Sequence, residues 1–187
     1  MLNKILKSVI GLVSISFAIF LIIGIPKTKH EISSTFSVER PINEVYDYIL
    51  NVNNAENWLE GFISAKKVKG NIGEAGCVYE VSLMEFGKIS ERTQTIIDLK
   101  RPTNIDYEWD KEDAFGTFSI ELEENGKTTV VKEMHTFQGK GFVSRFIIKA
   151  FKKFIVKSQK VSQENLKRAL EEELSDSDTQ LIDNANE

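Results

Sequence analysis

Two residues of this sequence, Glu133 and His135, have the types and the spacing of an acid–base pair. They are separated by one residue in a stretch with β-like alternation, so both side chains should point to the same side of a strand, about 7 Å apart. A carboxylate and an imidazole placed in this way can act as general base and general acid. The sequence shows no nucleophile with a third orienting group, so the simpler interpretation, which we favour, is a polar pair at the rim of a cavity.

Arg92 and Gln94 form a second pair on one side of a predicted strand. Together they have the hydrogen-bond donors to hold the carboxylate of a ligand. The alternative, which the sequence favours, is that both side chains face water.

Composition excludes several other kinds of chemistry. The 187 residues carry a formal net charge of −4, with one cysteine and two histidines. The negative charge makes nucleic acid an unlikely partner, and too few cysteines and histidines are present to build a structural zinc site. The glycines occur singly, without a phosphate-binding or dinucleotide-binding motif. We therefore expect no metal and no cofactor.

The elements that must position these residues can be predicted from periodicity. An alternating segment at 30–39 predicts a strand, and Pro41 followed by apolar residues at helical spacing predicts a short helix. Six further strands, joined by short turns, are predicted at 62–69, 76–85, 88–98, 103–110, 114–123 and 127–137. A helical pattern then continues from about Gly141 to Leu174, with a core-facing row of side chains that runs from Val143 to Asn165.

Three segments carry a resemblance to a known family. Residues 36–49 (FSVERPINEVYDYI) resemble the strand-to-helix junction of the SRPBCC or START-like superfamily, especially its polyketide cyclase/dehydrase and lipid-transport-like branch. Residues 51–58, which end in Trp, and 163–167 (QENLK) are similar to two further motifs of that group. The resemblance implies an α+β helix-grip fold, as in START and Bet v 1 proteins. In this fold a seven-stranded antiparallel sheet wraps around a long C-terminal helix.

The resemblance also implies a cavity between sheet and helix, which would bind a lipid-like or polyketide-like molecule. Loops at Trp58–Phe62 and Gly139–Phe142 would gate it. The alternative is that the same side chains fill the interior. The predicted ligand-binding residues are Tyr79, Val81, Leu83, Tyr107, Trp109, Phe118, Ile120, Val131, His135, Phe137, Ile147, Phe151 and Phe154.

An uncharged run at 8–25 is long enough, at 1.5 Å per residue, to predict a transmembrane helix. A cleaved signal peptide is the alternative. The predicted organisation is an anchor at 1–29, a START-like domain at 30–174 and an acidic disordered tail at 175–187. This organisation predicts a single-pass protein of a bacterial cell membrane, with its orientation left open.

Four lysines of the last helix, Lys149, Lys153, Lys157 and Lys160, share the side opposite the predicted core row. Such a stripe is typical of a surface that rests on anionic lipid headgroups, and equally of an ordinary solvated helix. The leading functional hypothesis is membrane-tethered binding of a hydrophobic small molecule without catalysis. The alternatives are a cyclase/dehydrase-type enzyme that uses Glu133 and His135, and a non-catalytic protein interaction module.

Overall fold

The computed structural model describes the backbone of residues 2–24 and 29–185, and the side chains of 4–20 and 29–172. Within this described part of the chain, four helices and seven strands follow one another. The helices are α1 (Leu2–Gly24), α2 (Ile42–Leu50), α3 (Ala55–Trp58) and α4 (Phe142–Ala185), and a single 3-10 turn, Val52–Asn54, precedes α3. The strands are β1 (His30–Val38), β2 (Phe62–Lys69), β3 (Val78–Glu85), β4 (Lys88–Lys100), β5 (Asn104–Asp110), β6 (Ala114–Asn125) and β7 (Thr128–Gly139).

The seven strands form one antiparallel sheet in the order β1-β7-β6-β5-β4-β3-β2. From β2 to β7, each strand pairs with the next in the chain, as the short predicted turns require. β1 closes the other edge by pairing with β7. The predicted seven-stranded sheet with a long C-terminal helix is confirmed, and the strand ends lie within two residues of the predicted ones.

At one end of the interior, the sheet and α4 are in direct contact. We call this the filled end. Leu166 and Leu170 of α4 are completely buried there, against side chains from α2 and from the strands. The other members of the filled end are Val38, Val45, Tyr46, Ile120, Leu122 and Val131, and each is at most 2% exposed. The predicted core-facing row of α4 is therefore wrong in part, because Leu166 and Leu170 lie outside it while its first member, Val143, is 63% exposed.

The predicted transmembrane helix is not supported. Within residues 4–20 and 29–172, no helix is both long and apolar enough to cross a membrane. Residues 21–25 of the predicted span lie outside the described side chains. The predictions of an N-terminal transmembrane helix and of a single-pass membrane location are therefore corrected.

The C-terminal boundary at residue 174 stays a prediction. α4 continues to Ala185, past the predicted end of the domain. The side chains after residue 172 lie outside the described residues. These include all side chains of the predicted disordered tail at 175–187.

A candidate ligand-binding cavity

A cavity of about 500 Å³ lies between the sheet and the first half of α4. This volume falls within the range of about 300–1,000 Å³ that small-molecule sites occupy. The sheet supplies the floor through alternate residues of β3 to β7, α4 supplies the cover, and the segment from Ile49 to Phe62 supplies one wall. The sheet and helix that enclose the cavity are the same elements that contact each other directly at the filled end.

An aromatic row crosses the floor of the cavity. His135 of β7 is paired with Phe118 of β6, and Phe118 with Tyr107 of β5. The imidazole stacks on the Phe118 ring with centroids 4.1 Å apart, and the Phe118 and Tyr107 rings stack at 6.0 Å. Such contacts fix the ring planes and leave their exposed faces as an apolar surface for a guest molecule.

Gly116 makes space for a second aromatic residue of the floor, Trp109, which is its partner on β5. A Cβ atom at Gly116 would lie 2.8 Å from the Trp109 ring and 1.9 Å from the carbonyl oxygen of Thr136. No other residue type fits this position without displacing its neighbours. The Trp109 ring in turn carries the Arg92 guanidinium, whose Cζ lies 5.7 Å from the ring centroid.

Arg92 is the cation of the cavity lining on β4. Its Nη2 donates to Gln94 Oε1 at 3.1 Å, while its Nε is shielded from solvent and has no acceptor among the described residues. Burial lowers the pKa of Arg92, and the charge of Glu85 opposes this shift. The guanidinium remains charged because its ordinary pKa is far above neutrality.

Glu85 itself is engaged by another cation. Its Oε2 accepts a hydrogen bond from Lys111 Nζ at 2.8 Å. Burial would raise the pKa of Glu85, but the contacts with Lys111 prevail and lower it. The carboxylate is thus ionised and already satisfied in part by Lys111.

Glu133 lies at the opposite side of the floor, where it is tied into a polar cluster. Ser34 Oγ donates to Glu133 Oε2 at 3.1 Å, and Gln163 Nε2 of α4 donates to Ser34 Oγ at 2.5 Å. Burial raises the pKa of Glu133, against the lowering effect of its hydrogen bonds with Ser34 and Gln163. The carboxyl group therefore keeps its proton to a higher pH than an exposed glutamate does.

His135 is neutral at physiological pH. Burial lowers its pKa to about 3, and the positive charge of Arg92 contributes to this shift. A neutral imidazole keeps one N–H, but this group is a very weak acid, so His135 is a poor general acid at pH 7. The structure brings Glu133 and His135 to one cavity, yet this protonation state does not suit the acid role predicted for His135.

The mouth of the cavity is apolar. Phe86, in the turn between β3 and β4, meets Phe151 of α4 edge to face, with ring centroids 5.4 Å apart. Phe86 is 63% exposed and Phe154, one turn further along α4, is 61% exposed. Phe86 also has a φ of 52°, which is unusual for a residue with a side chain. Large apolar side chains are thus exposed to solvent at the mouth of the cavity.

Three buried side-chain nitrogen or oxygen atoms lack a hydrogen-bond partner within the described part of the chain, and all three belong to residues that line the cavity. They are Trp58 Nε1, Arg92 Nε and Gln159 Oε1. Unpaired buried polar atoms are costly, and proteins keep few of them. Their concentration here distinguishes the cavity from the rest of the interior.

Most of the predicted ligand-binding residues lie in the cavity lining. The two exceptions are Ile120 and Val131, which are fully buried at the filled end. The residues placed in the lining are Tyr79, Val81, Leu83, Tyr107, Trp109, Phe118, His135, Phe137, Ile147, Phe151 and Phe154. Strand parity identifies the face of each residue, but it does not say how far along the strand the cavity extends.

Other lining residues were missed by the sequence prediction. Ile49 to Ala55 form part of the wall, and Phe86 and Gln159 contribute at the mouth and from α4. A usable signal exists for Gln159, which is four residues after Ile155 and one helical turn before Ser162. Phe86 precedes a turn glycine, and nothing in its spacing indicates a cavity.

The two predicted gating loops differ in position. The first, Trp58–Phe62, contributes Trp58, Leu59, Glu60 and Phe62 to the lining. The second, Gly139–Phe142, is absent from the lining, and Phe142 contacts Phe20 of α1 at a centroid distance of 4.5 Å.

The four lysines predicted to face lipid, Lys149, Lys153, Lys157 and Lys160, are all exposed. Their role at a membrane surface stays a prediction.

A sequence family described as polyketide cyclase / dehydrase and lipid transport matches residues 29–171. The chain belongs to this family. The match begins just before β1 and includes the part of α4 that covers the cavity. It confirms the resemblance seen in residues 36–49, 51–58 and 163–167. A comparison with curated protein sequences gave no match.

Solved structures share the fold at low sequence identity. The Zhui aromatase/cyclase from Streptomyces sp. R1128 is 14% identical with a TM-score of 0.59, and the match covers 75% of this chain and 96% of that one. A protein from Thermus thermophilus is 13% identical with a TM-score of 0.61, over 75% and 97% of the two chains. Ara h 8.0201 is 21% identical with a TM-score of 0.52, over 74% and 98%. These similarities establish the helix-grip architecture.

Proposed function

We propose that this protein binds a hydrophobic small molecule, lipid-like or polyketide-like, in the cavity between the sheet and α4. The observation that carries the proposal is the 500 Å³ of space enclosed by aromatic and aliphatic side chains. A guest that removes this lining from water gains about 25 cal/mol for each Å² of apolar surface it covers. The family description, which names both cyclases and lipid transport, agrees with such a guest.

Uptake would proceed through the apolar mouth. Phe86 and Phe151 contact each other across it, and Phe154 is exposed beside them. Movement of these rings, together with the wall segment Trp58–Phe62, would admit the guest. Its apolar surface would then cover side chains that now face water, which makes entry favourable without any chemical step.

A cyclase/dehydrase-type reaction is the second candidate. It is supported by the presence of Glu133 and His135 in one cavity. A neutral His135 and a Glu133 that is hydrogen bonded to Ser34 can still bind the polar group of a substrate. His135 does not suit the acid role, and the carboxyl group of Glu133 is tied to Ser34, so we place binding ahead of catalysis.

The test of binding uses the full 187-residue chain and an uncharged fluorescent probe, N-phenyl-1-naphthylamine. Fluorescence enhancement should saturate with one probe per chain, and native mass spectrometry should detect co-purified or exchanged apolar molecules. Ser158→Trp places a large ring in the cavity lining, and we expect it to reduce probe binding at least about tenfold, because the probe and the ring compete for the same space.

Lys157→Trp is the matched control, because Lys157 is exposed, adjacent and outside the cavity lining. It should bind the probe like the unmodified chain. Equal loss of binding in both variants, or no saturable binding by the unmodified chain, would contradict the proposal.

A further inference from the structure

We infer that the guest of the cavity carries a carboxylate and that Arg92 binds it. This inference rests on the proposed binding function and adds the chemical class of the ligand. It starts from the Nε of Arg92, a donor on a charged group that is shielded from solvent and lacks an acceptor within the described chain. An unsatisfied donor of this kind is among the more costly features of a protein interior.

The orientation of Arg92 is fixed from two sides. Its guanidinium lies over the Trp109 ring at 5.7 Å, and its Nη2 is held by Gln94 Oε1 at 3.1 Å. The ring is seated over Gly116, where a side chain would collide with it. The guanidinium is therefore held in a defined orientation in the cavity lining, and a bound carboxylate would meet a preorganised cation.

The acids near Arg92 are engaged by another cation, hydrogen bonded or exposed to solvent. Glu85 is the acid whose charge acts on Arg92, but its Oε2 already accepts from Lys111 Nζ at 2.8 Å. Glu60, a further acid of the cavity lining, is exposed to solvent. Asp113, 3.8 Å from Lys111, is 60% exposed and its charge is screened by water. His135 is neutral, and Glu133 is bound to Ser34.

A carboxylate fits this site better than other polar groups. It brings a negative charge to the guanidinium, and its two oxygens match the planar array of donors on that group. A hydroxyl or an ester would supply an acceptor without the charge. The remaining lining is mainly apolar, so the carboxylate should belong to a molecule with a hydrocarbon or aromatic body.

The experiment compares ligands that differ only in the anionic group. Dodecanoate and 1-dodecanol share one aliphatic body, while 2-naphthoate and 2-naphthalenemethanol share one aromatic body. Each displaces N-phenyl-1-naphthylamine from the full chain at pH 8, where both acids are ionised. We expect at least one acid to bind about tenfold or more tightly than its alcohol, because hydrogen bonds to a charged group contribute about 1.5–3 kcal/mol. The pair with the larger ratio identifies the body as aliphatic or aromatic.

Arg92→Gln should remove this preference, bringing each acid within about twofold of its alcohol, since the charge is lost while a similar volume remains. Arg168→Gln is the matched control. Arg168 is an exposed residue of α4 outside the cavity, and its replacement should preserve the preference. Circular dichroism checks that both variants fold, and the acid-to-alcohol ratio of the unmodified chain tests the inference without any variant.

The outcomes separate the two claims. Saturable binding of acids and alcohols with equal affinity by the unmodified chain would overturn the carboxylate inference and leave the binding function standing. A preference that persists in folded Arg92→Gln would overturn the assignment to Arg92. Failure of the probe and of all four ligands to bind would overturn both the inference and the proposed function.

Discussion

The two ends of the interior are built from the same elements and differ in one respect. At the filled end, α4 reaches the sheet through Leu166 and Leu170, which have no exposed surface. At the cavity, α4 faces the same sheet with Ile147, Phe151 and Phe154, which are 42–61% exposed. On β7, Val131 belongs to the first region and His135 to the second.

This difference shows how the fold combines stability with binding. Close contact between α4 and the sheet at one end supplies packing that a cavity cannot supply. The other end can then remain open. Several apolar side chains line it, and three of its buried polar atoms have no hydrogen-bond partner in the described chain. Stability and ligand affinity should accordingly respond to substitutions at different positions along one helix.

The sharpest test of this separation is a pair of truncations on α4. Leu166→Ala should lower the free energy of unfolding by about 2–5 kcal/mol, because a fully buried leucine leaves a void at the filled end. Phe154→Ala should lower it by less than about 1 kcal/mol, because its ring is 61% exposed. Chemical denaturation of the full chain measures both. Similar losses would mean that the two ends are not energetically distinct.

A smaller loss is expected at the cavity floor. Gly116→Ala introduces a Cβ atom against the Thr136 carbonyl and the Trp109 ring, so we expect a loss of about 1–3 kcal/mol. Trp109 should also change its fluorescence as the ring moves. Gly141→Ala is the control, since its new methyl group would meet only Ser144 Oγ, at an ordinary 3.8 Å. An unchanged stability of Gly116→Ala would show that the ring and strand shift freely.

The pH dependence of stability should reveal the buried imidazole. The pKa of His135 falls from 6.5 in the unfolded chain to about 3 in the folded one, so the unfolded state binds the extra proton between these values. Its contribution to stability is complete above pH 6.5 and is lost progressively as the pH falls toward 3. His135→Gln removes this contribution. Relative to the unmodified chain, the variant should therefore become more stable between about pH 7 and pH 4, as followed by denaturant titration. A difference in the free energy of unfolding between the two chains that does not change with pH would contradict the lowered pKa of His135.

The smallest effect on stability is expected at the mouth. Phe86→Gly relieves the backbone strain of a φ of 52° while it removes an exposed ring, so the free energy of unfolding should change by less than about 1 kcal/mol. Release of the fluorescent probe, measured by stopped flow, should become faster because the Phe86–Phe151 contact across the mouth is lost. Unchanged release would place the exit route elsewhere.

Periodicity predicted the strands and their buried faces well because strand alternation is a local property. It could not separate Ile120 and Val131, which pack tightly, from Phe118 and His135, which line the cavity on the same strands. That distinction depends on how closely α4 approaches, which is set by contacts far apart in the sequence. The same limitation explains the missed burial of Leu166 and Leu170.

The sequence predicts which polar residues share one side of a strand, but it does not predict their burial or their protonation. The spacing of Arg92 and Gln94 indicates that they share one side of a strand, but the sequence favours exposure of both to water, and only the structure shows the shielded Nε of Arg92. The acid–base interpretation of Glu133 and His135 failed to anticipate a neutral imidazole, because burial depends on Phe118 and the surrounding strands. The transmembrane prediction depended on hydropathy alone and is not supported by the described helices.

The continuity of α4 has a mechanical consequence. One uninterrupted helix is immobilised at Leu166 and Leu170, and it is loosely supported about 18 Å away at Phe154. Because displacement grows with distance from the fixed point, a slight tilt about the leucines would move α4 further beside Phe151 and Phe86 than at the filled end. Larger cargo could then be admitted by tilting alone, with every strand pairing left intact.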